Sequence, residues 1–290
     1  MSVQDQPFPL ITKAYRSKVH VGMSGWVFPE WRRRFYPKGL PQRRELEFAS
    51  HQLRTIEING TFYSLQTVES YQRWYQQTPD DFIFSLKGPK FITQSLKLAN
   101  AEGALANFFA SGVLALGKKL GPVLWQLPPS VKYDPKLLTD FFKLLPTDTA
   151  QAIKLAKKTD AHFKRVPFLK AAKKMKIRHA IEVRNQSFKD NEKAFLALLR
   201  KFNVAIVITD SAEGWPYFDQ PTADFIYARL QGGSIKGHTS RYTPLQLKNW
   251  AKLVKKWQGS SIQLPAFIYI DKHAKPFAPV DAMTLQKWTG

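Results

Sequence analysis

Residues 55–63 read TIEINGTFY. Thr55, Ile56 and Ile58 are β-branched, a composition that suits an extended strand. Successive side chains on a strand point to opposite faces, so Glu57 and Asn59 share one face and Ile56 and Ile58 the other. A carboxylate and an amide on one side of so apolar a strand are costly to bury unless they are paired or hydrogen-bonded.

The arrangement recurs along the 290 residues. Short apolar runs appear at VHVGMSG (19–25), TIEINGT (55–61), FIFSLKG (82–88), PVLWQLP (122–128), HAIEVRN (179–185), VAIVITD (204–210), FIYARLQ (225–231) and AFIYID (266–271). Most are separated by segments with helical period or caps. PQRRELEFASHQL (41–53) places Pro41 at a first helical position, and VESYQRWYQQ (68–77) and AEGALANFFASGVLALG (101–117) follow. Asp134-Pro135 and Thr243-Pro244 each set an N-cap before a proline tolerated in the first turn. They open KLLTDFFKLL (136–145) and LQLKNWAKLVKKWQ (245–258), the latter stopping at Gly259. NEKAFLALLRKF (191–202) and DAMTLQKW (281–288) complete the helical segments.

Eight strands alternating with helices predict an α/β fold, a TIM-type (β/α)8 barrel with a parallel eight-stranded sheet. The alternative, an open doubly wound sheet, lacks its G-x-G-x-x-G fingerprint, since GMSGW (22–26) has the wrong spacing. One domain is expected over 1–290, with residues 1–17 as an N-terminal extension and 131–178 as a basic helical insert between strands 4 and 5. SAEGWPYFDQPTA (211–223) reads as loop, so one unit lacks its helix.

The formal net charge is +22, with much of the excess between Lys132 and Arg178. Such a balance attracts polyanions and anionic ligands without bearing on fold. Segments such as KLAKKTD (154–160) and LKAAKKMKIRH (169–179) look helical, and a solvated basic face is the plainer reading against nucleic-acid binding. Cysteine is absent, which excludes disulfides and thiolate metal sites. No stretch nears the roughly 20 apolar residues of a membrane helix, and the N-terminus has no leader pattern. A cytoplasmic protein without a membrane partner is expected.

Each run ends polar: Ser24 and Trp26, Glu57 and Asn59, Lys87, Gln126, Glu182 and Arg184, Asp210, Arg229, and Asp271. In a (β/α)8 barrel these ends form the rim that carries catalytic and binding groups. Lys87, Arg184 and Arg229 supply cations for phosphate or carboxylate. Glu57, Glu182 and Asp210 could act as acid, base or metal ligands, and Asn59 and Gln126 could orient a hydroxyl or carbonyl. Trp26, Tyr63 and Tyr227 could form a stacking wall. Glu57, Glu182 and Lys87 are the catalytic candidates, Lys87 as an anion binder or, if neighbouring arginines lower its pKa, a Schiff-base former. His20 and His179 fall near strand starts, which disfavours a histidine-rich metal centre, so no metal is expected and no cofactor motif stands out.

At these same residues the chain resembles the YecE-like family, known as domain of unknown function 72. The similarity lies in GMSGW (22–26), FYP (35–37), EINGTFY (57–63), FIFSLKGPKFIT (82–93), LGKKLGPVLWQLPPS (116–130), HAIEVRN (179–185), YARLQGG (227–233) and APVDAMTL (278–285). The resemblance implies a TIM-type barrel with a pocket at the strand ends, and brings no established reaction. Gln94 and Gln231 stand where members commonly carry histidine, and Lys272-His273 where they tend to carry Asn and Asp. The sequence thus points to an enzyme or binding protein for a small anionic ligand, phosphorylated ligands included. The alternatives are a nucleic-acid-binding or processing protein and a non-catalytic scaffold.

Overall fold

The eight apolar runs pair side by side, each with the next, and the last returns to the first. In the computed structural model, residues 18–211, 213–232, 241–259, 264–271 and 276–289 are described. The strands are β1 Val19–Ser24, β2 Thr55–Ile58, β3 Ile83–Lys87, β4 Leu120–Gln126, β5 His179–Glu182, β6 Val204–Thr209, β7 Ile226–Leu230 and β8 Ala266–Ile270. All eight pairings are parallel, including the closure of β1 on β8 with Gly22 opposite Tyr269. The chain is a TIM-type (β/α)8 barrel.

Helices α1 Glu45–Gln52, α2 Gly60–Tyr63, α3 Val68–Gln76, α4 Glu102–Ala110, α5 Pro135–Leu144, α6 Thr149–Ala156, α7 Ser187–Asp190, α8 Glu192–Phe202, α9 Pro244–Gln258 and α10 Ala278–Thr289 fill the connections. Asp134 caps α5 by accepting from the Lys136 and Leu137 amides. Thr243 opens α9 with a reciprocal capping box to Gln246, and Gly259 is its C-cap. Among the described residues of 211–225, between β6 and β7, there is no helix.

Outward-facing side chains such as Val21, Met23, Ile56, Ile58, Phe84 and Leu86 join the large core beneath the helices. The alternate positions form a second cluster inside the barrel: Leu124, Ala180, Ala205, Val207, Phe225, Tyr227, Phe267 and Tyr269. Burial on both faces explains why the strands read as near-continuous apolar runs. Gly22 belongs to the inward set, and any Cβ there would stand 1.8 Å from the Thr55 carbonyl oxygen. Only glycine lets β1 and β2 approach at that point.

Three expected helices differ. Pro41 is extended (φ −64°, ψ 142°) and caps a 3-10 turn over Gln42–Arg44, so α1 starts only at Glu45. The segment 101–117 breaks at Gly112, whose φ of +119° is left-handed, and continues as 3-10 turns over Val113–Lys119 that kink at Gly117 (φ +48°, ψ −129°). In the insert only α5 and α6 are helical; LKAAKKMKIRH is not. There the backbone bonds to distant partners: Phe168 N donates to Ala110 O, Ile177 N to Thr147 O, and Thr149 N to Met175 O. These tertiary bonds override the helical propensity of the segment's Leu, Lys, Ala and Met residues, as tertiary context routinely does.

His179 lies at the lower end of the barrel, fully buried. Trp125 Nε1 donates to its Nδ1 at 3.2 Å, which leaves the proton on Nε2, 2.8 Å from the Pro146 carbonyl oxygen. Burial lowers this histidine from 6.5 to about 4, and burial with Arg54 does the same for His20. The unfolded chain therefore binds protons that the folded chain refuses between 6.5 and about 4, and stability falls as pH drops through that window. Urea denaturation is expected to show this fall. His179→Phe should flatten part of it while lowering stability at neutral pH, where Trp125 and Pro146 lose their partner.

Candidate functional site at the barrel mouth

On four of the strands the inward positions climb toward a charged residue in steps of two. On β8 the order is Phe267, Tyr269, Asp271; on β7, Tyr227 and Arg229; on β2, Thr55 and Glu57; on β5, Ala180 and Glu182. The middle layer is held by hydroxyls. Tyr269 OH lies 2.8 Å from Thr55 Oγ1 and 2.5 Å from Ser85 Oγ.

Above it sits Arg229, only 1% exposed and surrounded by carboxylates. Its Nε and Nη2 donate to the two oxygens of Glu57, each at 3.1 Å. Nη1 donates to Glu182 Oε2 at 2.5 Å, and Nη2 also reaches Asp271 Oδ2 at 2.8 Å. Glu57 further accepts from Ser24 Oγ (3.0 Å) and Tyr227 OH (2.6 Å). Glu182 accepts from Gln126 Nε2 (2.7 Å) and Arg184 Nε (2.8 Å). Burial opposes the charge of Arg229, but Asp271, Glu57 and Glu182 outweigh it and hold its pKa well above the usual value. Burial likewise opposes ionisation of Glu182, yet Arg229, Arg184 and Lys87 bring it down to about 2.

These contacts change two expected roles. The Arg229 guanidinium is not open to a ligand anion; it donates to three carboxylates of the protein itself. Glu57, fully buried with both oxygens engaged, and Glu182, ionised throughout the neutral range, are poorly placed to exchange protons with a ligand. Among the described residues no three histidine, aspartate or glutamate side chains are grouped to hold a metal ion. The space between Glu57, Glu182 and Asp271 is filled by the guanidinium.

Lys87 stands apart from this network. It ends β3 on the inward side, 9% exposed, with Nζ 4.1 Å from the Phe62 ring centre. Among the described residues its amine makes no hydrogen bond or ion pair. Burial, then the charge of Arg229, lowers its pKa from 10.5 to about 8 against the opposing pull of Glu57, Glu182 and Asp271. Phe62 also lines a pocket of ≈ 340 Å³ with Tyr63, Leu65, Lys90, Phe91 and Ile92.

Arg184 lies at the edge, one fifth exposed, with its guanidinium 3.6 Å from the Trp215 ring centre. Trp215 is a site residue that strand ends do not reveal; its only signal is a tryptophan beside a proline in the β6–β7 loop. Asn59 and Gln231 each carry a buried polar atom, Oδ1 and Nε2, without a partner among the described residues, as does Thr209 Oγ1.

Other expected residues fall elsewhere. Counting from Val204 puts Val207 and Thr209 inward, so Asp210 falls on the outward side. It accepts from the Gln231 amide at 2.8 Å and from Tyr242 OH, which ties the β7–α9 connection down. Of the stacking wall, Tyr227 is buried inside the barrel, Trp26 is half-buried edge-on to Trp74, and Tyr63 is 65% exposed on the rim. Gln94 is exposed, and Lys272-His273 and residues 1–17 lie outside the described residues. In the insert, Lys158, Lys174 and Lys176 pair with Glu102, Asp148 and Asp224. Arg165 donates to the Leu65 and Gln66 carbonyls. This basic segment thus offers a polyanion fewer unpaired cations than its sequence suggests.

The sequence profile of a family described as "Protein of unknown function DUF72" matches residues 20–290. The chain belongs to the DUF72 family. Among curated relatives, UPF0759 protein YecE of Escherichia coli K12 is 30% identical over 110 residues, and UPF0759 protein YunF of Bacillus subtilis is 23% identical over 116. Those matches cover 38% of this chain in both cases and 38% and 40% of the relatives' own length. A DUF72 protein from Thermotoga maritima superposes with a TM-score of 0.70 at 20% identity, over 93% of this chain and 98% of that one. One from Enterococcus faecalis gives 0.68 at 17%, over 93% and 95%. At such identities the likeness carries the fold. No helix among the described residues is long and apolar enough to cross a membrane.

Two outcomes follow from the charges. Arg229→Met leaves three buried carboxylates without their common partner and is expected to cost about 3–5 kcal/mol or to prevent folding. Chemical denaturation beside Arg184→Ala, a milder loss at the half-open edge, measures the difference. For Lys87 the folded chain binds fewer protons than the unfolded one between about 8 and 10.5, so its burden on stability lifts as pH rises. Lys87→Met should therefore be more stable than wild type at neutral pH by roughly 1–3 kcal/mol, and denaturation at increasing pH should show that advantage shrinking.

Proposed function

We propose that this DUF72 protein binds a small anionic ligand at the barrel mouth, phosphorylated compounds included, as an enzyme or a binding protein. One observation carries the reading: Lys87 is a cation at the strand ends whose amine no described residue occupies. The three carboxylates Glu57, Glu182 and Asp271 are matched by Arg229, Arg184 and Lys87, so the mouth is balanced only while Lys87 is protonated. An incoming anion would associate with that ammonium directly. Arg184, over the Trp215 ring, has a planar guanidinium suited to a carboxylate or phosphate. The unpartnered atoms of Asn59 and Gln231 offer one acceptor and one donor for a ligand's hydroxyl and carbonyl groups.

Thermal-shift measurements against phosphorylated sugars, nucleotides and organic acids test this. At least one compound should raise the melting temperature of wild type by a few degrees at saturation. The shift should vanish in Lys87→Ala and weaken as pH rises through about 8, where the ammonium is lost. If no anion stabilises wild type, or if Lys87→Ala responds as wild type does, the proposal fails.

A further inference from the structure

We propose that Lys87 is a Schiff-base lysine, whose amine condenses with the carbonyl carbon of a small aldehyde or ketone that also carries an anionic group. This rests on the anion-site reading and narrows its ligand class. The argument begins with what surrounds the amine. Three carboxylates lie near enough to act on its charge, yet Arg229 holds all three. A lysine serving only to balance charge would bond to one of them. Here it rests on the Phe62 face, 4.1 Å from the ring centre, with no hydrogen bond or ion pair to a described residue.

Burial and the neighbouring Arg229 charge favour the neutral amine, with a pKa of about 8. About a tenth of it is then unprotonated at neutral pH, against a few in ten thousand for an ordinary lysine. A desolvated lysine beside another cation is the usual form of an amine nucleophile. Its backbone is fixed on both sides. Thr61 Oγ1 donates to the Lys87 carbonyl at 2.7 Å, and Gly88 N donates to Leu124 O at 2.8 Å. Gly88 is itself wedged against Trp125, where a Cβ would stand 2.4 Å from the indole. The nucleophile is thus carried by a rigid strand end. Arg184 keeps Nη1 unbonded among the described residues, available to the anionic group.

The step balances without a co-reactant. The amine lone pair attacks the carbonyl carbon and a C–N bond forms. One amine proton passes through solvent to the carbonyl oxygen, giving a carbinolamine. The hydroxyl then takes up a solvent proton, the nitrogen lone pair forms the C=N bond as the C–O bond breaks and water leaves, and the product is an iminium that keeps the remaining amine proton.

The test incubates the full chain with pyruvate or dihydroxyacetone phosphate and cyanoborohydride, then maps adducts by peptide mass spectrometry. Lys87 should be labelled about tenfold faster than any other lysine, at a rate that rises with pH up to about 8 and is slowed by inorganic phosphate. Labelling spread over exposed lysines, with Lys87 unmodified or no faster, overturns the inference. Lys87→Arg keeps the positive charge and should retain the anion-dependent thermal shift while losing the fast adduct. If anions stabilise wild type but Lys87 is not trapped, the Schiff base falls and the anion site stands. If neither is seen, both fall.

Discussion

Arg229 brings together three strands that are distant in sequence. Glu57 arrives on β2, Glu182 on β5 and Asp271 at the end of β8, and all three meet one guanidinium. Removing four charged groups from water carries a large desolvation cost, which is offset only when the geometry is close and the remaining lone pairs are filled. Ser24, Tyr227, Gln126 and Arg184 do that filling. The bidentate contact to Glu57 uses the planar fork that lysine lacks. Because this arginine takes up the carboxylates, the amine of Lys87 is left unclaimed, and the chemistry proposed for the mouth depends on that.

Below the network, the interior is graded. Alanines and phenylalanines fill the lower barrel, hydroxyls hold the middle, and charges close the top. The hydroxyl of Tyr227 supplies one of the hydrogen bonds that the charged layer requires. Tyr227 packs among apolar side chains at its ring and donates to Glu57 at its tip, so one residue bridges two environments that differ in polarity. Gly22 contributes by absence, since the missing side chain lets β1 approach β2 and brings Ser24 within reach of Glu57.

Much of this was legible in the sequence. The period of two along TIEINGTFY, HAIEVRN and FIYARLQ assigns Glu57, Glu182 and Arg229 to the interior, and alternating strands and helices give the barrel. What the period could not convey is which charges would find each other, because residues 57, 182, 229 and 271 meet only when the sheet closes. Arg229 therefore reads as a ligand cation until its neighbours are known. Asp210 was misplaced by one position, as it follows Thr209, the last inward residue of β6. The insert misled for a different reason. Its lysine-rich spacing has helical period, while its amides bond to Thr147 and Ala110 and its Met175 carbonyl accepts from Thr149.

Barrels of this kind invite division into two four-stranded halves, but the placement of charge here resists it. A fragment ending after β4 would keep Glu57 and Lys87 and lose the arginine that donates to both oxygens of Glu57. The complementary fragment would hold Arg229 with two of its three acids and an open edge on either side. Neither half is electrically self-sufficient at its upper end. The network therefore acts as a closure check on the whole chain, because the favourable set of contacts is complete only when β8 has docked beside β1.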